Sequence, residues 1–247
     1  MMLLVDAGNS RVKWALLTAG TLHGHGAFSW RGEAVEPQLA RHWGSLGSVA
    51  RVWVANVAGK SISAPLNNWV RAQWGMDVDY AQTQTENLGV RNGYRDHRRL
   101  GVDRWLTLLA ACSRYRGASC ILDCGTAVTL DALNATGEHL GGLIVPGIGL
   151  MHDALARHTD ALALDPAPGA DFLGHDTTEG IANGAVQGIA GFAEHAVERL
   201  RAQLGDEPHC LLTGGDAGRI LPHLRGHWEH RPQLVLEGLQ LVAESLV

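Results

Sequence analysis

Leu3-Leu4-Val5-Asp6-Ala7-Gly8-Asn9-Ser10-Arg11-Val12-Lys13-Trp14-Ala15-Leu16 is the stretch that decides the fold. Leu3 to Val5 is a short apolar run, as in a buried strand, and it ends in residues that favour a tight turn. Val12, Trp14 and Leu16 then alternate with Arg11, Lys13 and Ala15, the period of a second strand. The chain therefore opens with a hairpin rather than a strand–loop–helix.

The same theme returns almost half a chain later. Cys120-Ile121-Leu122 runs into Asp123-Cys124-Gly125-Thr126, and Val128, Leu130 and Ala132 again alternate with their neighbours. A repeat on that scale implies two related domains rather than a solenoid. The expected boundaries are 1–115 and 116–247. Further strands are expected over 51–57, 76–80, 141–147, 209–212 and 234–236. Helices are expected over 61–75, 100–115, from 147 to about 159, over 177–203 and at the C-terminus, with a loop over 161–176. Strands alternating with helices give an α/β class.

Composition narrows the function. Hydrophobic residues make up 46% of 247, which fits a packed globular chain. No apolar run reaches the ~20 residues of a membrane helix, and the start lacks signal-peptide features. The four cysteines form no C-x-x-C pair and the histidines no H-E-x-x-H, so a reduced, cytoplasmic protein is expected. The net charge of −5 argues against nucleic-acid binding. A basic stretch from Arg95 to Arg104 reads either as a solvated loop or as a local anion site.

Glycine accounts for 31 residues, well above the usual ~7%. Gly8 and Gly125 lie on the two acid–glycine turns. Gly180, Gly184 and Gly188 share one helix face, where close packing against another helix, of this chain or of a partner subunit, would offset their ~1 kcal/mol cost each.

The first turn has two readings. It suits a type I′ hairpin turn. It also suits a phosphate grip, with Gly8 admitting the anion to backbone N–H groups, Ser10 and Lys13 adding donors, and Asp6 acting through Mg²⁺. The second turn, with Asp123, follows the same logic, and two such turns facing each other would hold a triphosphate. Thr213-Gly214-Gly215-Asp216 is either an ordinary turn or a place where bare backbone admits a flat ring or ribose. Neither a P-loop nor a dinucleotide motif is present.

Asp6-x-Gly8-Asn9-Ser10, Gly101-Val102-Asp103-Arg104-Trp105, Asp123-x-Gly125-Thr126-Ala127, Gly141-Gly142-x-Ile144-x-Pro146-Gly147 and Thr213-Gly214-Gly215 occur in that order. This set resembles the type III pantothenate kinases, across nearly the whole chain. The resemblance implies two duplicated actin-like (ribonuclease H-like) domains with mixed sheets flanked by helices around an ATP cleft. It implies ATP-dependent phosphorylation of pantothenate, the first step towards coenzyme A, by a homodimer. It makes Asp103 the general base. Asp6, Gly8, Asn9, Ser10, Lys13, Gly125, Thr126, Gly214 and Gly215 become ATP contacts. Tyr94, Gly101, Val102, Arg104 and Thr177 become pantothenate contacts, with Arg104 suited to the substrate carboxylate. Asp123 is associated with a monovalent cation, K⁺ or NH₄⁺, and Asp6 with Mg²⁺ through the phosphates. Three positions depart from the family pattern. Ser10 replaces threonine, His97 replaces proline in the substrate loop, and Asp176 replaces asparagine before Thr177. A non-catalytic regulator on this scaffold and another kinase of the superfamily are the competing readings.

Overall fold

A computed structural model of the chain describes residues 1–157 and 171–246. Internal contacts divide the chain into two units, Met1–Arg114 with Gln233–Val247, and Tyr115–Pro232.

The first unit opens with an antiparallel meander, β1 (Met2–Ala7), β2 (Arg11–Thr18) and β3 (Thr21–Ser29). Leu3, Leu4 and Val5 are all fully buried, because β1 is the central strand and both its faces are covered. Helix α1 (Val35–Trp43) leads to β4 (Arg51–Asn56), and α2 (Lys60–Trp74) to β5 (Asp79–Tyr80). Both strands run parallel to β1, giving the order β3-β2-β1-β4-β5. A core of Leu3, Val5, Leu39, Trp43, Ile62 and Leu66 fixes α1 and α2 to one face of the sheet. A small hairpin, β6 (Glu86–Asn87) with β7 (Val90–Arg91), precedes α3 (Val102–Arg114).

The second unit repeats the plan. Strands β8 (Ser119–Cys124), β9 (Ala127–Leu133) and β10 (His139–Pro146) form the meander. Helices α4 (Ile148–Arg157) and α5 (Thr177–Leu204) follow in sequence. Strand β11 (His209–Thr213), the short helix α6 (Ala217–Ile220) and β12 (Trp228–His230) complete it, with β11 and β12 parallel to β8. The order β10-β9-β8-β11-β12 matches the first sheet strand for strand. The repeat read from two short turns thus extends to all five strands.

The chain then returns to the first unit. The segment 234–236, expected as a strand, begins α7 (Leu234–Ser245). Its consecutive apolar residues look strand-like because several sides of the helix are buried, including Leu234, Val235, Leu236, Leu239 and Ala243. A Cβ on Gly238 would lie 2.0 Å from the Leu106 carbonyl oxygen, so α7 crosses α3 backbone to backbone. The second unit accordingly ends at Pro232 rather than at 247.

Two other expectations differ. A Cβ at Gly180, Gly184 or Gly188 would meet nothing within 4 Å among the described residues, so none of them fills that face. Strand β3 carries no strong sequence signal, because as an edge strand it buries little more than Phe28. Most of the expected loop, and the end of the helix expected to reach 159, lie outside the described residues.

Candidate active site

In the first unit β1 delivers Asp6 to the hairpin turn, nine-tenths buried. Lys13 stands directly opposite it on β2, on the same face of the sheet. The Gly8 N–H closes the turn on the Arg11 carbonyl at 3.0 Å. Asn9 and Ser10 do not have positive φ, so the turn is not type I′.

Three successive carbonyls of this turn are occupied from the end of β3. Trp30 Nε1 donates to Gly8 at 2.9 Å and Arg31 Nε to Asn9 at 3.3 Å. The Trp30 N–H and Ser29 Oγ both donate to Ser10. In a trans peptide each carbonyl points opposite to the next residue's N–H. The N–H groups of Asn9, Ser10 and Arg11 therefore face away from Trp30 and Arg31, as a nest for an anion. Sequence reasoning missed these supports, because nothing local ties residues 29–31 to the turn.

From the same edge, Val57 donates its N–H to the Ala7 carbonyl at 3.1 Å, and its side chain reaches within 3.9 Å of where a Gly101 Cβ would lie. Gly101 is the chain's approach to α3. A Cβ there would sit 2.5 Å from Asp103 Oδ1, so glycine spares the carboxylate a displacement. Asp103 is half-buried in the first turn of α3, where the helix N-terminus favours its charge, and Oδ1 accepts the Arg104 N–H at 2.8 Å. Val102, also half-buried, starts the helix.

Arg104 is buried. Its Nη1 donates to the Tyr94 hydroxyl at 2.8 Å, and its guanidinium carbon lies 5.5 Å from the Tyr94 ring centroid. The loop carrying Tyr94 is organised by Asn92, itself buried. Asn92 Oδ1 accepts the Tyr94 N–H, Nδ2 donates to the Gln84 carbonyl, and its N–H donates to the Thr85 carbonyl. Thr83 Oγ1 donates to the Leu100 carbonyl at the other end of the loop. At His97 a single 3₁₀ turn forms, capped by Asp96. Arg98 pairs with Asp96 at 3.0 Å, which holds the Asp96 carboxyl below the usual carboxylate range. Of the basic stretch, Arg98 is thus occupied locally and Arg104 is built into the site.

In the second unit three backbone segments meet around Asp123-Cys124-Gly125-Thr126. Gly147 donates its N–H to the Thr126 carbonyl at 3.0 Å, and a Cβ on it would strike the Gly125 carbonyl. Gly214 has φ +101°, and a Cβ on it would lie 2.4 Å from the Cys124 carbonyl. Asp216 donates its N–H to the Cys124 carbonyl at 2.9 Å. Gly215 is exposed beside this junction and Thr126 half-buried within it. Burial, with Asp123 and Asp216 nearby, pushes the Cys124 thiol up to about 12. Asp123 is flanked in register by Thr129 on β9 and Thr213 on β11. Thr213 Oγ1 is buried without a hydrogen-bond partner among the described residues.

Thr177 opens α5 and is exposed. The cap is Asp176, whose Oδ1 accepts the Glu179 N–H at 2.8 Å, while Glu179 Oε2 accepts the His175 N–H at 2.8 Å. The Glu179 carboxylate reaches one residue past the cap, a variant of the capping box in which the Asp176 carboxylate is engaged and Thr177 is spared that duty.

Over residues 2–199 the chain matches the family model described as type III pantothenate kinase. It belongs to that family. The type III pantothenate kinase of Nitrosococcus oceani is 41% identical over 99% of this chain and 94% of its own length. That of Alcanivorax borkumensis is 35% identical over 98% of both. Among solved structures, the activator of 2-hydroxyisocaproyl-CoA dehydratase from Clostridium difficile, with bound ADPNP, superposes with a TM-score of 0.58 at 12% identity, covering 99% of this chain and 94% of that one. A Campylobacter jejuni protein assigned to the Baf family of transcriptional activators gives 0.60 at 19% identity, over 99% of this chain and 98% of that one. These likenesses show that this type III pantothenate kinase chain shares the fold of both structures.

Proposed function

We propose that the chain transfers the γ-phosphoryl group of ATP to the primary hydroxyl of pantothenate, giving 4′-phosphopantothenate on the way to coenzyme A. At residue level the reading rests on the Tyr94–Arg104 bond beside the Asp103 carboxylate. It puts a fixed cation and an acid at one helix start.

Arg104, oriented by Tyr94, takes the pantothenate carboxylate. Gly101 and Val102 line the approach, and the family resemblance adds Thr177 as a substrate contact. Asp103 accepts the hydroxyl proton as the substrate oxygen bonds to the γ-phosphorus and the bond to ADP breaks. Asp6, Gly8, Asn9, Ser10 and Lys13 grip phosphates through N–H groups and one ammonium. Gly125 and Thr126 act likewise, and Gly214 and Gly215 offer bare backbone to the nucleoside. A buried carboxylate suits Mg²⁺ held mainly by phosphates and water; when bound, the ion neutralises phosphate charge. Asp123, Thr129 and Thr213 form an oxygen-donor set fit for a monovalent cation, and the orphaned Thr213 hydroxyl supports that assignment.

The chain is read as a homodimer. The open glycine face of α5, with exposed Leu143 and Ile144 on β10 and Leu150 and Leu155 on α4, offers apolar and small-residue surface for a second copy to cover. Ile144→Asp should then lower the mass measured by light scattering to that of a monomer.

The deciding experiment is a coupled assay with ATP, Mg²⁺, K⁺ and pantothenate, run beside Asp103→Asn. Absence of phosphopantothenate from the wild-type reaction would sink the proposal.

A further inference from the structure

Cys120 and Cys210 stand directly opposite each other on the parallel strands β8 and β11. Both side chains belong to the same core cluster and so share one face of the sheet. In-register residues on neighbouring strands lie about 4.8 Å apart at Cα, within the roughly 4.4–6.8 Å a disulfide spans. Both are free thiols.

The two differ in access. Cys120 is fully buried. Cys210, itself 7% exposed, lies in the wall of a cleft of about 510 Å³, with Glu198, Arg201, His227 and Trp228 among its neighbours. They also differ in acidity. A hydrogen bond from the Cys120 thiol, helped by the Arg201 charge, holds Cys210 below the ordinary cysteine range against the opposing effects of burial and Glu207. The same bond and burial raise Cys120. The Cys210 S–H also reaches the Pro208 carbonyl at 3.5 Å, a weak donor bond that opposes ionisation without cancelling those two effects. Cys112 and Cys124 are both shifted upward by burial.

We propose that Cys210 and Cys120 form a thiol-exchange site for small disulfides of the glutathione class, with Cys210 attacking and Cys120 resolving. The Cys210 thiolate bonds to one sulfur of the small disulfide, whose S–S bond breaks and releases one thiolate. The Cys120 sulfur, giving up its proton, then attacks the Cys210 sulfur and expels the second thiolate. Two protein thiols are oxidised to one disulfide, and one small disulfide is reduced to two thiols. The product would tie β8 to β11 three residues before Asp123 and Thr213. The site is independent of the proposed phosphoryl transfer.

The test incubates the full-length protein with glutathione disulfide, quenches with acid, and maps peptides without reduction. The expected result is a Cys120–Cys210 disulfide, reversed by dithiothreitol, with Cys112 and Cys124 still free. Cys120→Ser should stop at a glutathione adduct on Cys210, and Cys210→Ser should yield neither species. Glutathione carried by Cys112 alone, or an unmodified Cys120–Cys210 pair in the wild-type protein, would overturn the proposal even if a variant fails to fold.

Discussion

The Arg104 guanidinium is tied to the Tyr94 hydroxyl at 2.8 Å, ten residues back along the chain. A buried arginine held this way presents one fixed direction for a carboxylate. Tyr94→Phe keeps the ring and removes the anchor. A lost hydrogen bond to a charged group costs about 1.5–3 kcal/mol, so KM for pantothenate should rise at least tenfold with kcat changed less. Steady-state kinetics in pantothenate at saturating ATP would show it; an unchanged KM would refute the orienting role.

Asn92 should act one step further back. Asn92→Ala removes the acceptor for the Tyr94 N–H and the donor to Gln84. The expected outcome is a higher KM for pantothenate with KM for ATP unmoved. Asn92→Asp, which keeps the acceptor, should recover part of the loss.

Asp103→Asn is nearly isosteric and cannot take a proton. Loss of a general base typically costs about 10²–10⁴ in rate. We expect kcat to fall in that range while ATP binding, measured by calorimetry, persists. A kcat near wild type would show that Asp103 is not the base.

Thr213→Val exchanges a partnerless buried hydroxyl for a methyl. Removing an unsatisfied buried polar group is neutral to stabilising, so Tm should hold or rise. Stimulation by K⁺ should disappear if that hydroxyl helps hold the cation. Retained stimulation would exclude Thr213 from the cation site.

Gly238→Ala tests the fold instead of the chemistry. Its Cβ would meet Leu106 backbone, which no rotamer can relieve. Overpacking of this kind costs about 1–3 kcal/mol, to be read as a lowered denaturant midpoint with an unchanged m-value.

Reading the sequence worked where one element carries its own signal. The β1 run is apolar throughout because the strand is central, and the two acid–glycine turns stand out by composition. It failed where meaning depends on a distant neighbour. Edge strand β3 has little buried alternation to detect, yet its end organises the first turn through Trp30 and Arg31. Residues 234–236 carry no periodicity of their own, and only α3 explains why they are helical. The site divides the same way. Its acids and glycines were visible as motifs, whereas Asn92, Thr129 and the Thr213 hydroxyl gain their roles from loop and strand partners remote in sequence.

The return of α7 to the first unit has a consequence for biosynthesis. A ribosome makes the first 114 residues early, yet the helix that crosses α3 emerges only after the whole second unit. The second unit, contiguous in sequence, has all its strands available before that helix exists. The first unit is therefore completed after the second, and a chain stopped before residue 234 would have the second unit whole and the first without one of its walls.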